Sequence, residues 1–125
     1  MSPGEVADLI GRYNDAWNRQ DLDAIAALHH DDIVFENHTA GERAEGAAAV
    51  RDHIGRIFAN NPSMRFATRS LRAGEDFAVC EWTLTLDRDG KTLGWEGVDV
   101  FPIVDGLIAR KDVYSAAHRA RTIGG

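Results

Sequence analysis

Two aspartates sit inside strand-forming sequence. In Gly97–Ser115, GVDVFPIVDGLIARKDVYS, Asp99 lies between Val98 and Val100, and Asp112 lies between Lys111 and Val113. Asp is depleted in strands and costly to bury without a partner. A wet outer face, a structural ion pair or a functional pocket would each account for them. In a pocket, two carboxylates on neighbouring hairpin strands could carry general acid/base chemistry. Other chemistry has less support. There is no glycine-rich phosphate loop and no pair of metal-binding histidines at helical spacing, so no cofactor is expected. In His29-His30-Asp31-Asp32 the adjacent histidines point different ways at a helix end, and no metal is expected there. The single cysteine, Cys80, excludes an internal disulfide and a cysteine-based zinc cluster.

The chain has 125 residues, enough for one domain with one real core. Apolar residues make up 44% and charged residues 27%, an ordinary globular mix. The formal charge of −6 argues against a nucleic-acid footprint and against an anionic membrane surface. No apolar run approaches the roughly 20 residues of a membrane helix. The opening MSPGEVADLI has neither a basic region nor an apolar signal segment, so a cytoplasmic protein is expected.

The elements that must position the aspartates follow from periodicity. Ser2-Pro3-Gly4-Glu5 has the form of a capping box with proline at the first helical position. Behind it Val6, Leu9, Ile10, Tyr13 and Trp17 recur at helical spacing and predict a helix of about five turns. Asp21 caps a short second helix from Leu22 to about His29. A strand is predicted over Ile33–His38 and a polar loop over Thr39–Gly46. A third helix runs through Ala47, Val50, Ile54, Ile57 and Phe58 and stops at Asn60-Asn61-Pro62. Four strands follow, near 64–72, 77–86, 92–102 and 107–117. Turns fall at Gly74-Glu75-Asp76, Asp87-Arg88-Asp89-Gly90 and Val104-Asp105-Gly106. Helices followed by an antiparallel meander make an α+β layout over residues 1–125.

Alternation assigns faces. Cys80, Trp82, Leu84 and Leu86 share one face, plainly the inner one. Trp95, Gly97, Asp99 and Phe101 share a face, as do Arg110, Asp112 and Tyr114. Either the valines face the helices and both aspartates face water, or the aromatics face inward and take the aspartates with them. Burying an aromatic removes far more apolar area than burying valine, which favours the second arrangement. The outer face would then carry Thr83, Thr85, Val98 and Val100 and suit a second copy of the chain. Glu36 and His38 fall opposite Asn37, at the rim or surface.

Nearly the whole chain resembles the SnoaL-like proteins of the nuclear transport factor 2-like superfamily. The resemblance is carried by RYNDAWNRQDLDAIAALHHDDIVFEN, NPSMRF and the GVDVFPIVDGLIARKDVYS stretch, in that order and spacing. It implies a cone-shaped fold, with a curved antiparallel sheet wrapped around three helices and enclosing a pocket. It also implies dimers through the outer sheet face. Activities in the family include polyketide cyclisation, ketosteroid isomerisation, dehydration and epoxide hydrolysis, while other members only bind ligands or proteins.

Matched to ketosteroid isomerases, Tyr13 and Asp99 fall at the oxyanion-hole positions, but the catalytic base falls at Asn37, whose amide cannot take a proton from carbon. Matched to limonene epoxide hydrolases, Asn37 falls at a water-positioning asparagine and Asp112 at one catalytic aspartate. The partner arginine and second aspartate fall at Trp82 and Leu84, so that triad is incomplete. The resemblance thus places Asn37, Asp99 and Asp112 on the pocket side. Trp17, Phe35, Trp82, Trp95, Phe101 and Tyr114 would be its walls, with Arg110 at the mouth for an acidic substrate group. Asp112 is expected as ionised general base and Asp99 as neutral donor, with Tyr13 and Asn37 orienting a carbonyl or enolate oxygen. The expected function is cofactor-independent acid/base catalysis on a hydrophobic carbonyl-containing small molecule, by cyclisation, isomerisation or dehydration. The alternative is a non-catalytic binder with the same pocket.

Overall fold

The computed structural model describes residues 1–116 and, as backbone, 121–124. Helix α1 (Pro3–Arg19) begins with the full capping box: Ser2 Oγ accepts from the Glu5 N–H, and the Glu5 carboxylate accepts from the Ser2 N–H. Its apolar stripe, from Val6 to Trp17, is buried. The helix ends where Gln20 takes a left-handed conformation at φ 55°. Asp21 caps α2 (Leu22–Ala27) by accepting from the Ala24 N–H. Strand β1 (His29–Asn37) follows, then β2 (Glu42–Glu45), α3 (Ala47–Asn60), β3 (Arg65–Ala73), β4 (Phe77–Arg88), β5 (Lys91–Val104), β6 (Leu107–Ser115) and β7 (Arg121–Gly124).

The strands form one curved, open sheet in the order β2-β1-β6-β5-β4-β3, and β7 pairs with β5 near Thr92–Gly94. The α+β expectation holds, with three corrections. The second helix stops at Ala27, and His29–Asp32 belong to β1. Residues 42–45 form a strand, because β1 offers them an unpaired edge. The sheet is not wholly antiparallel, since β1 runs parallel to β6. The expected last strand stops at Ser115, and part of its range beyond that lies outside the described residues. Among the described residues no helix is long and apolar enough to cross a membrane.

Two turns set the register of the hairpins. Asp89-Gly90 and Asp105-Gly106 all have positive φ, the two-residue turn conformation that matches strand twist. The second turn pairs Val104 with Leu107 and Ile103 with Ile108. Continued without interruption, that register would set Asp99 opposite Asp112. It does not continue: between Ile108 and Asp112, β6 carries one extra residue, and beyond it Asp99 pairs with Val113 and Val100 with Asp112. A one-residue slip reverses every side chain beyond it. Asp99 therefore points inward with Phe101, while Asp112 points outward with Arg110 and Tyr114. Like charges directly across a ladder are unfavourable, and the bulge removes that juxtaposition. It also turns Lys111 inward, to Asp99.

Candidate active site

Asp99 and Lys111 form a buried ion pair. Lys111 Nζ donates to Asp99 Oδ2 at 2.9 Å, with the two side chains 6% and 5% exposed. The lysine is caged by aromatic rings. Its Nζ lies 4.6 Å from the ring centre of Trp17, 5.1 Å from Phe101, 5.3 Å from Tyr13 and 6.0 Å from Phe35. Such faces attract a cation most strongly where water is excluded. The second carboxylate oxygen, Asp99 Oδ1, is buried with no hydrogen-bond partner, and so is the indole N–H of Trp82. A buried polar atom without a partner is costly, commonly about 1–3 kcal/mol, and in a native protein it marks strain or function.

The pair stands where two cavities meet. One, of about 220 Å³, is lined by Asn14, Asp15, Asn18, Thr68 and Cys80 on its far side. The other, of about 230 Å³, is more apolar, with Phe35, Ile57, Met64, Leu84, Leu86 and Trp95 among its walls and Glu42, Asn61 and Arg88 also along it. Trp17, Phe66, Trp82, Asp99 and Lys111 line both. Phe66 meets Trp17 and Trp82 edge-on, at 5.9 and 5.2 Å between ring centres. Asn18 fixes this wall by gripping the backbone of Phe66, donating to its carbonyl at 2.9 Å and accepting from its N–H at 2.8 Å. The Trp82 ring lies on Gly97: a Cβ there would come within 2.4 Å of it. Cys80 is buried beside Asp99, and burial foremost, then the Asp99 charge, pushes its thiol up.

The expected site residues divide into three groups. Trp17, Trp82, Trp95, Phe35, Asn37 and Asp99 line the cavities, although the Asn37 Oδ1 accepts from the Ala40 N–H in the turn after β1. Tyr13 and Phe101 line neither cavity and instead form the cage beneath Lys111. The Tyr13 hydroxyl is 2.8 Å from His29 Nε2, a partner within the core. Burial holds the tyrosine well above its ordinary range and pushes His29 down to about 4, with the Lys111 charge as a second cause.

Asp112, Arg110 and Tyr114 are corrected to the outer face, because of the bulge. There Arg110 binds Asp112 at 2.8 Å and Glu36 at 3.2 Å, His38 Nε2 meets Asp112 Oδ1 at 2.8 Å, and the His38 ring stacks on Tyr114. Burial raises the Asp112 carboxyl, but the Arg110 and His38 hydrogen bonds outweigh it, and the net shift is downward. The expected base is thus paired on the outer face, away from the cavities and from Asp99. One atom from each of Glu36, His38 and Asp112 lies within 4.8 Å of the others, a spacing a metal could use. Arg110 and Arg43 already occupy those carboxylates, so a cation would have to displace both guanidiniums. Lys111, which the sequence shows only as a neighbour of Asp112 in the strand, is the central residue that sequence reasoning missed.

The SnoaL-like domain family matches residues 10–111, a span that includes both members of the buried pair. The chain belongs to the SnoaL-like family. Among solved structures, this SnoaL-like chain is similar to a proposed ketosteroid isomerase from Kribbella flavida, with 24% identity, a TM-score of 0.78 and coverage of 98% of this chain and 85% of that one. A proposed polyketide cyclase from Xanthomonas campestris is 25% identical with a TM-score of 0.74, covering 90% of each chain. An LEH-like epoxide hydrolase from M. tuberculosis is 21% identical with a TM-score of 0.76, covering 90% of this chain and 84% of that one. These neighbours belong to the nuclear transport factor 2-like superfamily, and the open sheet with its N-terminal helices is that fold.

Proposed function

We propose that this SnoaL-like protein is an acid/base enzyme acting on a hydrophobic carbonyl-containing small molecule, without a cofactor, in a reaction of the cyclase, isomerase or dehydratase kind. The observation that carries the reading is the unpartnered Oδ1 of Asp99, on a buried carboxylate whose other oxygen holds Lys111. A free carboxylate oxygen is a proton acceptor. A caged ammonium beside it is a fixed positive charge for an oxygen that becomes negative. The apolar walls of the larger cavity accept the hydrocarbon body of the substrate. Asp99 Oδ1 takes a proton from the carbon next to the carbonyl, Lys111 stabilises the enolate oxygen, and the same carboxyl returns the proton at the product position.

Solvent exchange tests this: an aryl ketone incubated in heavy water should gain deuterium at the carbon next to the carbonyl. Removing the base, as in Asp99→Asn, should slow exchange by about 10²-fold or more. Exchange equal in wild type and Asp99→Asn would sink the proposal. A second reading, ligand binding without turnover, is favoured by Lys111 already occupying one oxygen of the carboxylate. It predicts saturable quenching of tryptophan fluorescence with no exchange. The outer sheet face, where the Tyr114 side chain is exposed among Arg110, Asp112 and Val100, is proposed as the contact between two copies. Sedimentation of wild type and Tyr114→Glu tests that contact, and two unchanged monomers would refute it.

A further inference from the structure

The amine of Lys111 has a second use. Of the fourteen Lys and Arg residues in the chain, only Lys91 and Lys111 are lysine. Lys91 is exposed and opens β5, and Lys111 is the buried Lys or Arg among the described residues. A guanidinium would serve a simple buried ion pair at least as well, since its planar fork matches a carboxylate. A primary amine can do what a guanidinium cannot: add to a carbonyl carbon. The surroundings suit that step. Lys111 lines both cavities, and its Nζ donates to one carboxylate oxygen and lies over aromatic rings. Amines desolvated in apolar pockets are the ones proteins use as nucleophiles.

We propose that Lys111 forms a Schiff base with aldehyde or ketone ligands of the larger cavity. This rests on the reading of that cavity as a carbonyl-binding site. The ammonium first gives a proton to Asp99. The free amine then adds to the carbonyl carbon, forming the C–N bond as the C=O π pair moves to oxygen. Proton transfer, with Asp99 as the carrier, neutralises the amine nitrogen and protonates the carbinol oxygen. The Asp99 carboxyl then gives its proton to that hydroxyl, which leaves as water while the nitrogen lone pair closes the C=N bond. The sum is carbonyl plus ammonium to iminium plus water, with no change in net charge and with Asp99 a carboxylate before and after. The cage does not oppose the product. An iminium at the same place keeps its positive charge beside Asp99 and against the rings of Trp17, Phe101, Tyr13 and Phe35. The iminium also acidifies the neighbouring C–H, which is the bond Asp99 Oδ1 is placed to break.

The test is reductive trapping. The protein is incubated with 2-naphthaldehyde and sodium cyanoborohydride, the adduct is located by peptide mass mapping, and binding is followed in parallel by tryptophan fluorescence, since Trp17, Trp82 and Trp95 line the cavity. The proposal expects the naphthylmethyl group on Lys111 to exceed that on Lys91 by about tenfold or more, because the bound aldehyde is held against the amine. Lys111→Met should abolish that adduct, and Asp99→Asn, checked by circular dichroism for folding, should form it more slowly. Saturable quenching with label only on Lys91 and the N-terminal amine overturns the Schiff base and leaves the cavity reading intact. Absence of quenching and of Lys111 label overturns both.

Discussion

Replacing Lys111 with methionine should cost far more stability than an apolar-for-polar exchange in a core suggests. Methionine is similar in length and fills the space under the four rings. It leaves the Asp99 carboxylate buried with neither oxygen paired. At 2.9 Å and an effective dielectric of 20, the lost attraction is about 6 kcal/mol. The ammonium no longer has to be desolvated, which offsets part of that loss. Removing one member of a buried pair typically costs roughly 3–5 kcal/mol. For a chain of this size that lowers the melting temperature by roughly 10–20 °C. Removing both charges in Asp99→Leu/Lys111→Met should recover most of the loss, because well-packed apolar replacements of buried pairs are often neutral or stabilising. The assay is thermal and urea unfolding of wild type, both single variants and the double variant, analysed as a cycle. The reasoning is refuted if Lys111→Met is as stable as wild type, or if the double variant loses the sum of the single losses.

Three further outcomes follow from the same geometry. Gly97→Ala should lose about 1–3 kcal/mol of stability and weaken binding of 2-naphthaldehyde, because the new Cβ must push the Trp82 ring out of the cavity wall; wild-type stability and quenching in that variant would show that the ring moves freely. His29 carries a pH dependence. Its folded value of about 4 lies below the ordinary 6.5, so the unfolded chain binds the proton more readily and the stability contribution is present above pH 6.5 and lost as pH falls toward 4. Between pH 7.5 and 5 that amounts to about 2 kcal/mol, and His29→Gln should remove that much of the slope in urea titrations. An unchanged slope in the variant would place the titration elsewhere. Asn18→Ala should cost about 1–3 kcal/mol through two lost backbone hydrogen bonds, and should loosen Phe66 enough to change the tryptophan emission.

Much of the fold is written in local chemistry. The capping box, the stripe from Val6 to Trp17, the Asp21 cap and the two Asp-Gly turns all act within a few residues, and each forms as sequence alone suggests. The inward turn of Asp99 was legible too, because Phe101 on the same face must be buried. What was not legible depends on partners distant in sequence. β2 exists because β1 offers it an edge, and the parallel pairing of β1 with β6 leaves no mark of its own on either strand. The bulge in β6 was decisive. Strict alternation carried Asp112 to the face of Asp99, and the register of the Asp105-Gly106 turn would have set the two side by side. One extra residue sends Asp112 out to Arg110 and brings Lys111 in. The repulsion between facing carboxylates, and the rarity of lysine in this chain, were the two signals that could have pointed to it.

The central claim is that the reactive carboxylate is Asp99, held by Lys111, and not Asp112. Deuterium exchange into an aryl ketone, measured side by side for Asp99→Asn and Asp112→Asn, tests it most directly. The account predicts a loss of about 10²-fold or more for Asp99→Asn. For Asp112→Asn it predicts a rate close to wild type, with a stability loss of only about 1–3 kcal/mol from the weakened contacts to Arg110 and His38. Exchange abolished by Asp112→Asn and retained in Asp99→Asn would contradict it.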